Sequence, residues 1–185
     1  MRAEIERQLD RFEQGLQFPP DHIDGHQHVH VLPGVRQVLL DVVGRRYGGR
    51  PPLLRVPTSL RRAISGPSPA KVKAVTVGLL GLGFAKSVQY CGLPTNDSFA
   101  GFSRFDVRKP YVHELQVALG EPGRRHIVMC HPGHADAELA RIDPVVTRRR
   151  MEYEVLMRDP DLPERIWRPS RSADGPALDW PELRE

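Results

Sequence analysis

A histidine-rich segment near the start of the chain carries the clearest chemical signal. Residues 24–30 are Asp-Gly-His-Gln-His-Val-His, so Asp24, His26, His28 and His30 occupy alternate positions. Alternate residues share one face of an extended chain, and the spacing therefore predicts a carboxylate and three imidazoles along one wall of a strand. Neutral imidazole is a common ligand of divalent metals, and a nearby carboxylate completes such a site or orients a ring. The segment is a candidate site for a metal or a substrate.

The same spacing leaves two alternatives open. An H-x-H pattern by itself does not tell metal binding from substrate binding, and three successive alternate residues of a strand rarely chelate one ion. We therefore expect at most one or two metal ligands here, while the other side chains bind substrate or orient the site. A histidine-rich surface loop is the structural alternative, although the chain has only 8 histidines among 185 residues.

Two further candidates follow other apolar runs. His131 comes directly after residues 126–130 (HIVMC) and precedes Pro132 and Gly133, and Arg55 lies within residues 53–57 (LLRVP). Active sites of βα units gather at the C-terminal ends of parallel strands, where a Pro-Gly turn would present His131. A cation that leaves a buried strand is either neutralised by a partner or placed to meet a ligand, and both remain open for Arg55. For Asp136 we expect a structural role, such as capping the next segment.

Helical and strand patterns alternate along the chain. Apolar residues at helical spacing predict helices over 1–15, 33–45, 70–90, 111–119 and 144–158. Alternating or continuous β-prone runs predict strands over 22–32, 53–57, part of 96–102, and 126–130. This order predicts an α/β fold of parallel βα units. We expect one domain over residues 1–160 and, because prolines recur beyond Asp161, an extended C-terminal tail over 161–185.

Composition narrows the functional classes. Apolar residues make up 39% and charged residues 27%, which is typical of a globular protein. The net charge of +4 comes from scattered arginines without aromatic interleaving, so we expect no nucleic-acid partner. Two cysteines without C-x-x-C spacing favour a reducing, cytoplasmic location, and no signal peptide is recognised. The most apolar stretch, residues 74–85, is too short to span a bilayer.

Taken together and in order, five stretches of the sequence resemble the YdjC-like carbohydrate deacetylases (the ChbG/HpnK group). They are DHIDGHQHVHVLPGV, LLRVP, NDSFAGF, IVMCHPGHAD and TRRRMEYEVL. The resemblance covers nearly the whole chain. It implies a deformed TIM-like (β/α) barrel with one divalent metal ion, Mg²⁺ or Zn²⁺. The implied reaction is hydrolysis of the acetamide of an N-acetylated sugar, of the chito-oligosaccharide or hopanoid-linked glucosamine type.

The resemblance also implies roles for individual residues. His26 falls on a family metal ligand, and Gly25 stands where the family has serine. His131 would line the catalytic pocket and protonate the departing amine. Asp24, His28, His30 and Arg55 would surround the substrate or the metal. We expect His26 and His131 to face one cleft from neighbouring parallel strands.

Two family motifs do not occur in this sequence. They are an N-A-D-D-F-G type strand and a G-x-H-x-x-L-T element, which supply an aspartate and a second histidine to the metal. We therefore expect a partial barrel without its N-terminal strands, little activity from the isolated chain, and an open sheet edge that favours a homodimer. Two alternatives are a non-catalytic remnant that binds a sugar or a partner, and, more weakly, a histidine-rich phosphoesterase.

Overall fold

Helices and short parallel strands alternate in the computed structural model, which describes residues 1–58, 71–120 and 125–166. The helices are α1 (Arg2–Leu16), α2 (Pro33–Arg46), α3 (Lys71–Tyr90), α4 (Tyr111–Leu119), α5 (Ala137–Ile142), α6 (Thr147–Arg158) and α7 (Leu162–Arg165). The strands are β1 (His22–Ile23), β2 (Leu53–Leu54), β3 (Ser98–Ala100) and β4 (His126–Val128). A 3₁₀ segment, His26–Val31, follows β1 and is called the histidine turn below.

The strands pair in the order in which they occur in the sequence. β1 lies parallel to β2 with Ile23 opposite Leu54, and β3 lies parallel to β4 with Phe99 opposite Ile127. A single parallel bridge between Leu54 and Thr95 joins the two pairs. This arrangement agrees with the predicted α/β class. The described strands do not close a barrel by themselves, so the TIM-like barrel stays a prediction.

The main apolar core lies between the first three helices, the histidine turn and β2. The amphipathic helix α1 contributes Leu9, while the side chains of Leu54 and Phe84 are completely buried in the centre. Its other members come mostly from α2 and α3: Val31, Leu39, Leu40, Val42, Val43, Tyr47, Val56 and Val88. Burial of these apolar side chains stabilises the folded state by ~25 cal/mol per Å² of buried area. Val31 and Val56 belong to the core, so the segments that follow β1 and β2 are packed against it.

The histidine-rich segment differs from its predicted form. Only His22–Ile23 is a strand, and the chain then turns at Gln27 and His28, whose φ angles are 50° and 64°. The alternating face predicted for 24–30 is therefore wrong. His26 is exposed, whereas His28 and His30 are buried. Left-handed backbone at two successive residues breaks the period of two that an extended strand requires.

Two smaller differences concern the C-terminal half. A helix that was not predicted, α5, begins after Asp136, whose carboxylate accepts the Leu139 N–H at 2.7 Å. The capping role expected for Asp136 is confirmed. Residues 162–165, predicted to belong to the tail, form α7, while 167–185 lie outside the described residues.

Over the described part of the chain, no helix is both long enough and apolar enough to cross a membrane.

Candidate functional site

Arg55 is the centre of a polar cluster at the C-terminal ends of β1 and β2. Its side chain is only 3% exposed and forms an ion pair with Asp24, which follows β1. The guanidinium also donates to the Gly25 carbonyl at 3.2 Å and to His28 Nδ1 at 2.7 Å. Its carbon atom lies 5.0 Å from the centre of the Phe99 ring. The structure thus gives Arg55 a neutralising partner, while a contact of Arg55 with a ligand stays a prediction.

The contact with Arg55 determines which nitrogen of the His28 ring can carry a proton. A guanidinium cannot accept a hydrogen bond, so His28 Nδ1 accepts and is unprotonated. The ring is 4% exposed and lies against Phe99 and Phe102, with centroid distances of 6.1 and 5.4 Å. His28 therefore joins the Arg55 cluster to the residues around β3.

The buried ring of His30 stabilises the histidine turn through two hydrogen bonds. The Gly25 N–H donates to His30 Nδ1 at 3.1 Å, so the proton of the neutral ring is on Nε2, which donates to the Arg55 carbonyl at 2.8 Å. The ring is 3% exposed, and burial lowers the pKa of His30. Both ring nitrogens are used within the chain. These contacts give His30 a structural role and leave neither nitrogen for a substrate.

Gly25 is required by this arrangement. A Cβ at position 25 would lie 2.4 Å from His30 Nδ1 and 2.8 Å from His30 Cβ. Both distances are shorter than van der Waals contact, so any side chain would displace the ring. Glycine at position 25 therefore leaves the space that the His30 ring occupies.

His131 belongs to a second polar cluster, after β4. Its backbone N–H donates to Glu152 Oε2 at 2.5 Å, and its Nδ1 lies 3.9 Å from the same oxygen. The ring packs edge-on against Phe105 with a centroid distance of 4.9 Å, and the side chain is 24% exposed. One part of the imidazole thus remains accessible to solvent.

A buried network on α4 and α6 supports Glu152. Arg148, one helical turn before Glu152, is 1% exposed and places Nε 3.6 Å from Glu152 Oε1. It also pairs with Glu114 at 2.7 Å and donates to the Lys109 carbonyl at 2.7 Å. Its guanidinium lies over the Tyr111 ring at 5.1 Å. Burial raises the pKa of Glu152, whereas the His131 N–H and Arg148 act in the opposite direction.

Sequence comparison identifies the family. The model of the YdjC-like protein family matches residues 1–166. The chain belongs to the YdjC-like family. Carbohydrate deacetylases of Mus musculus and Homo sapiens are 38% identical to this YdjC-like chain over 141 and 146 residues. The aligned part is 72% of this chain in both cases, but only 45% and 43% of the relatives. The family predicted from the five stretches is confirmed.

The match to the named relatives is partial in length. The YdjC-like chain spans less than half of the mouse and human proteins. The carbohydrate deacetylase of Danio rerio is 51% identical over 41 residues. No solved structure matches the chain. Statements about the activity of a complete protein are therefore proposals.

The candidate residues of the YdjC-like chain form two groups. Asp24, His28 and Arg55 are in direct contact, whereas His131 contacts Phe105 and Glu152. All the described strands are parallel, so both groups lie beyond the same ends of the strands. β1 and β4 are not neighbours, however, because β2 and β3 lie between them in the strand order. A shared cleft for His26 and His131 stays a prediction.

The described residues of the YdjC-like chain do not form a metal centre. His26 is exposed and has no side-chain hydrogen bond to them. Within residues 1–58, 71–120 and 125–166, no group of three or more His, Cys, Asp or Glu side chains could hold a metal ion. His30 and Nδ1 of His28 are already bonded within the chain. The prediction of His26 as a metal ligand therefore depends on further ligands.

Sequence reasoning did not single out Glu152 and Arg148. Both are on α6 and are almost completely buried, with 1% exposure each. The stretch TRRRMEYEVL was matched to the family, but its charged residues had no assigned role. An arginine and a glutamate four residues apart in a helix usually form an exposed pair, which hides the signal.

Proposed function

We propose that this YdjC-like chain carries part of the active site of a carbohydrate deacetylase. The reaction is hydrolysis of the acetamide of an N-acetylated sugar, which gives acetate and a free amino sugar. The substrate is of the chito-oligosaccharide or hopanoid-linked glucosamine type. The observation that carries the proposal is the family membership, together with relatives named carbohydrate deacetylase that are 38% identical.

His131 is proposed as the catalytic acid. The amine leaves only after it gains a proton, and imidazole transfers protons efficiently near neutral pH. The geometry supports this role, because the ring is partly exposed at a strand end and is held by Phe105 and Glu152. The fixed ring lowers the entropy cost of orienting the acid toward the nitrogen.

Asp24, His28 and Arg55 are proposed to form the sugar-binding side. The Asp24 side chain is 44% exposed, so its carboxylate can accept hydrogen bonds from sugar hydroxyls. Arg55 and His28 are almost buried, and they act by holding Asp24 and the histidine turn in place. The contacts of His30 support this second, structural role and no direct contact with the sugar.

A protein of the relatives' length is proposed to bind one divalent metal ion, Mg²⁺ or Zn²⁺, with His26 as one ligand. The described residues do not complete such a site, so the remaining ligands must come from elsewhere. A single imidazole leaves an ion mostly to water. Calorimetric titration of the 185-residue chain with each metal should therefore show weak binding, and a protein of the length of the relatives should bind more tightly. Equal affinities would contradict the proposal.

Acetate release tests the proposed activity. A protein of the relatives' length should release acetate from N-acetylglucosamine oligomers, and His131→Ala should lower kcat by about 10²-fold or more. His113→Ala is the matched control, because His113 is an exposed histidine on α4 without an assigned role. Failure of the parent protein to release acetate with any divalent metal would count against the deacetylase. Equal kcat for both variants would remove His131 from the mechanism.

The second candidate is a non-catalytic module that binds a sugar or a partner. The lack of a metal-binding group among the described side chains favours it. It predicts binding of N-acetylated oligosaccharides without acetate release. Such a module should form a homodimer by pairing the open sheet edges of two copies, and light scattering measures this. A cytoplasmic location is likewise proposed, and cell fractionation tests it.

A further inference from the structure

Glu152 lies against His131 in a way that family membership alone does not explain. One carboxylate oxygen, Oε2, accepts the His131 backbone N–H at 2.5 Å. The same oxygen is 3.9 Å from Nδ1 of the His131 ring. A single buried atom thus contacts both the backbone and the side chain of the residue that follows β4. Glu152 is 1% exposed, so water screens its charge poorly.

The other oxygen of Glu152 lies near a buried arginine. Arg148 lies on the same helix with its Nε 3.6 Å from Oε1, and it is tied to Glu114 and to the Lys109 carbonyl at 2.7 Å each. None of these contacts requires a metal or a ligand. The carboxylate therefore already lies between His131 and Arg148 before a substrate arrives, as a positioning group must.

We propose that Glu152 is a positioning residue for His131. It anchors the turn after β4 through the backbone N–H, and it places negative charge beside Nδ1. A carboxylate at that distance stabilises the protonated imidazole. His131 therefore holds its proton until it transfers that proton to the departing nitrogen. This inference rests on the proposed role of His131 as the acid.

The other charged groups near His131 do not replace Glu152. Arg149 donates to the His131 carbonyl at 3.4 Å, but its guanidinium also pairs with Asp143 at 2.5 Å. Asp143 is within electrostatic range of His131, but its carboxylate is already paired with Arg149. Phe105, on the other hand, contributes an uncharged edge contact that restricts ring rotation. Glu152 remains the buried carboxylate that faces the ring.

An NMR titration of the 185-residue chain tests the coupling without any activity. Glu152→Gln keeps an oxygen that accepts the His131 N–H but removes the charge. The titration midpoint of the His131 ring should fall by about 1 to 2 pH units. Glu154→Gln is the matched control, because Glu154 lies on the same helix, pairs with Arg150 and has a side chain that is 38% exposed. An unchanged midpoint in Glu152→Gln, or an equal change in both variants, overturns the proposal.

A measurement on the unsubstituted chain covers the case in which Glu152→Gln does not fold. Two interacting groups each report the titration of the other. The carboxyl ¹³C signal of Glu152 should therefore show a second inflection at the midpoint of His131. A carboxyl signal with no inflection there overturns the proposal.

Kinetics of a protein of the relatives' length then connect the coupling to the reaction. Glu152→Gln should move the basic limb of the kcat profile to lower pH, while KM changes little. At a pH above both midpoints, the protonated fraction of His131 falls about ten-fold each time the midpoint is lowered by one. Glu152→Asp, which retains the charge, should restore most of the profile. A merely structural role would lower stability without moving the limb. If the NMR midpoint falls but the parent releases no acetate, the deacetylase proposal fails and the coupling stands.

Discussion

Replacement of Asn96 should reveal how β2 is held to β3 where the backbone ladder stops. Asn96 Oδ1 accepts the Val56 N–H at 2.7 Å, and Nδ2 donates to the carbonyls of Val56 and Ser98 at 2.9 and 3.0 Å. Val56 is 1% exposed, so water cannot replace these bonds. An unsatisfied buried N–H costs about 1–3 kcal/mol, and each carbonyl adds roughly a further 1 kcal/mol. Asn96→Ala should therefore lower the free energy of unfolding by about 3–5 kcal/mol.

Thr95→Val is the matched comparison for Asn96→Ala. Thr95 makes one corresponding bond, from Oγ1 to the Leu54 carbonyl at 2.8 Å, and valine has nearly the same shape. Its loss should cost about 1 kcal/mol. Urea unfolding of the 185-residue chain, followed by far-ultraviolet circular dichroism, measures both variants. If Asn96→Ala lowers the free energy of unfolding no more than Thr95→Val does, the Asn96 side chain does not replace the backbone hydrogen bonds between the strands, and the reasoning is refuted.

Two other substitutions test backbone geometry and pH dependence. Gly101 has a φ of 102°, and a Cβ there would lie 2.0 Å from the Met129 carbonyl oxygen, so Gly101→Ala should cost at least about 3 kcal/mol and speed amide exchange at Met129. Gly92→Ala, at a φ of 65° with open space, should cost only about 1 kcal/mol, and equal costs would refute the steric argument. Because burial lowers the pKa of His30, below pH 6.5 the unfolded chain binds a proton that the folded chain does not, and urea stability should fall as the pH falls. His30→Gln should flatten this dependence and His113→Ala should not; an unchanged slope in His30→Gln would be the contrary result.

Local periodicity was enough to predict most of the helices. The apolar spacing over residues 1–15 and 111–119 predicted α1 and α4, whose observed bounds are Arg2–Leu16 and Tyr111–Leu119. Pro33, a residue favoured in the first turn of a helix, marked the start of α2. These signals are contained within single elements. They need no knowledge of what lies opposite in the fold.

The histidine turn could not be predicted in this way because distant residues determine it. Its bend is stabilised by His28 with Arg55, and by His30 with the Arg55 carbonyl, across 27 and 25 positions of sequence. The letters Asp-x-His-x-His-x-His fit a strand equally well. A tertiary contact therefore overrode the alternating pattern.

The cluster around His131 was predicted only in part. Its strand-end position followed from the apolar run 126–130, and β4 is found there. The partner Glu152 lies 21 residues away on a helix that is rich in charge. Which of those charges is buried depends on the orientation in which α6 packs against α4. A single sequence does not predict that orientation. The family resemblance indicated the stretch but not the residue.

The agreement between strand order and sequence order has a consequence for biosynthesis. Each described pairing joins a segment to the one that precedes it in the strand order and that the ribosome has already released: Leu54 to Ile23, Thr95 to Leu54, and His126 to Ser98. None of the described strands inserts between two strands that were translated before it. The nascent sheet can therefore lengthen by one flank at a time as the polypeptide emerges. A pause in translation would leave a shorter but correctly registered sheet.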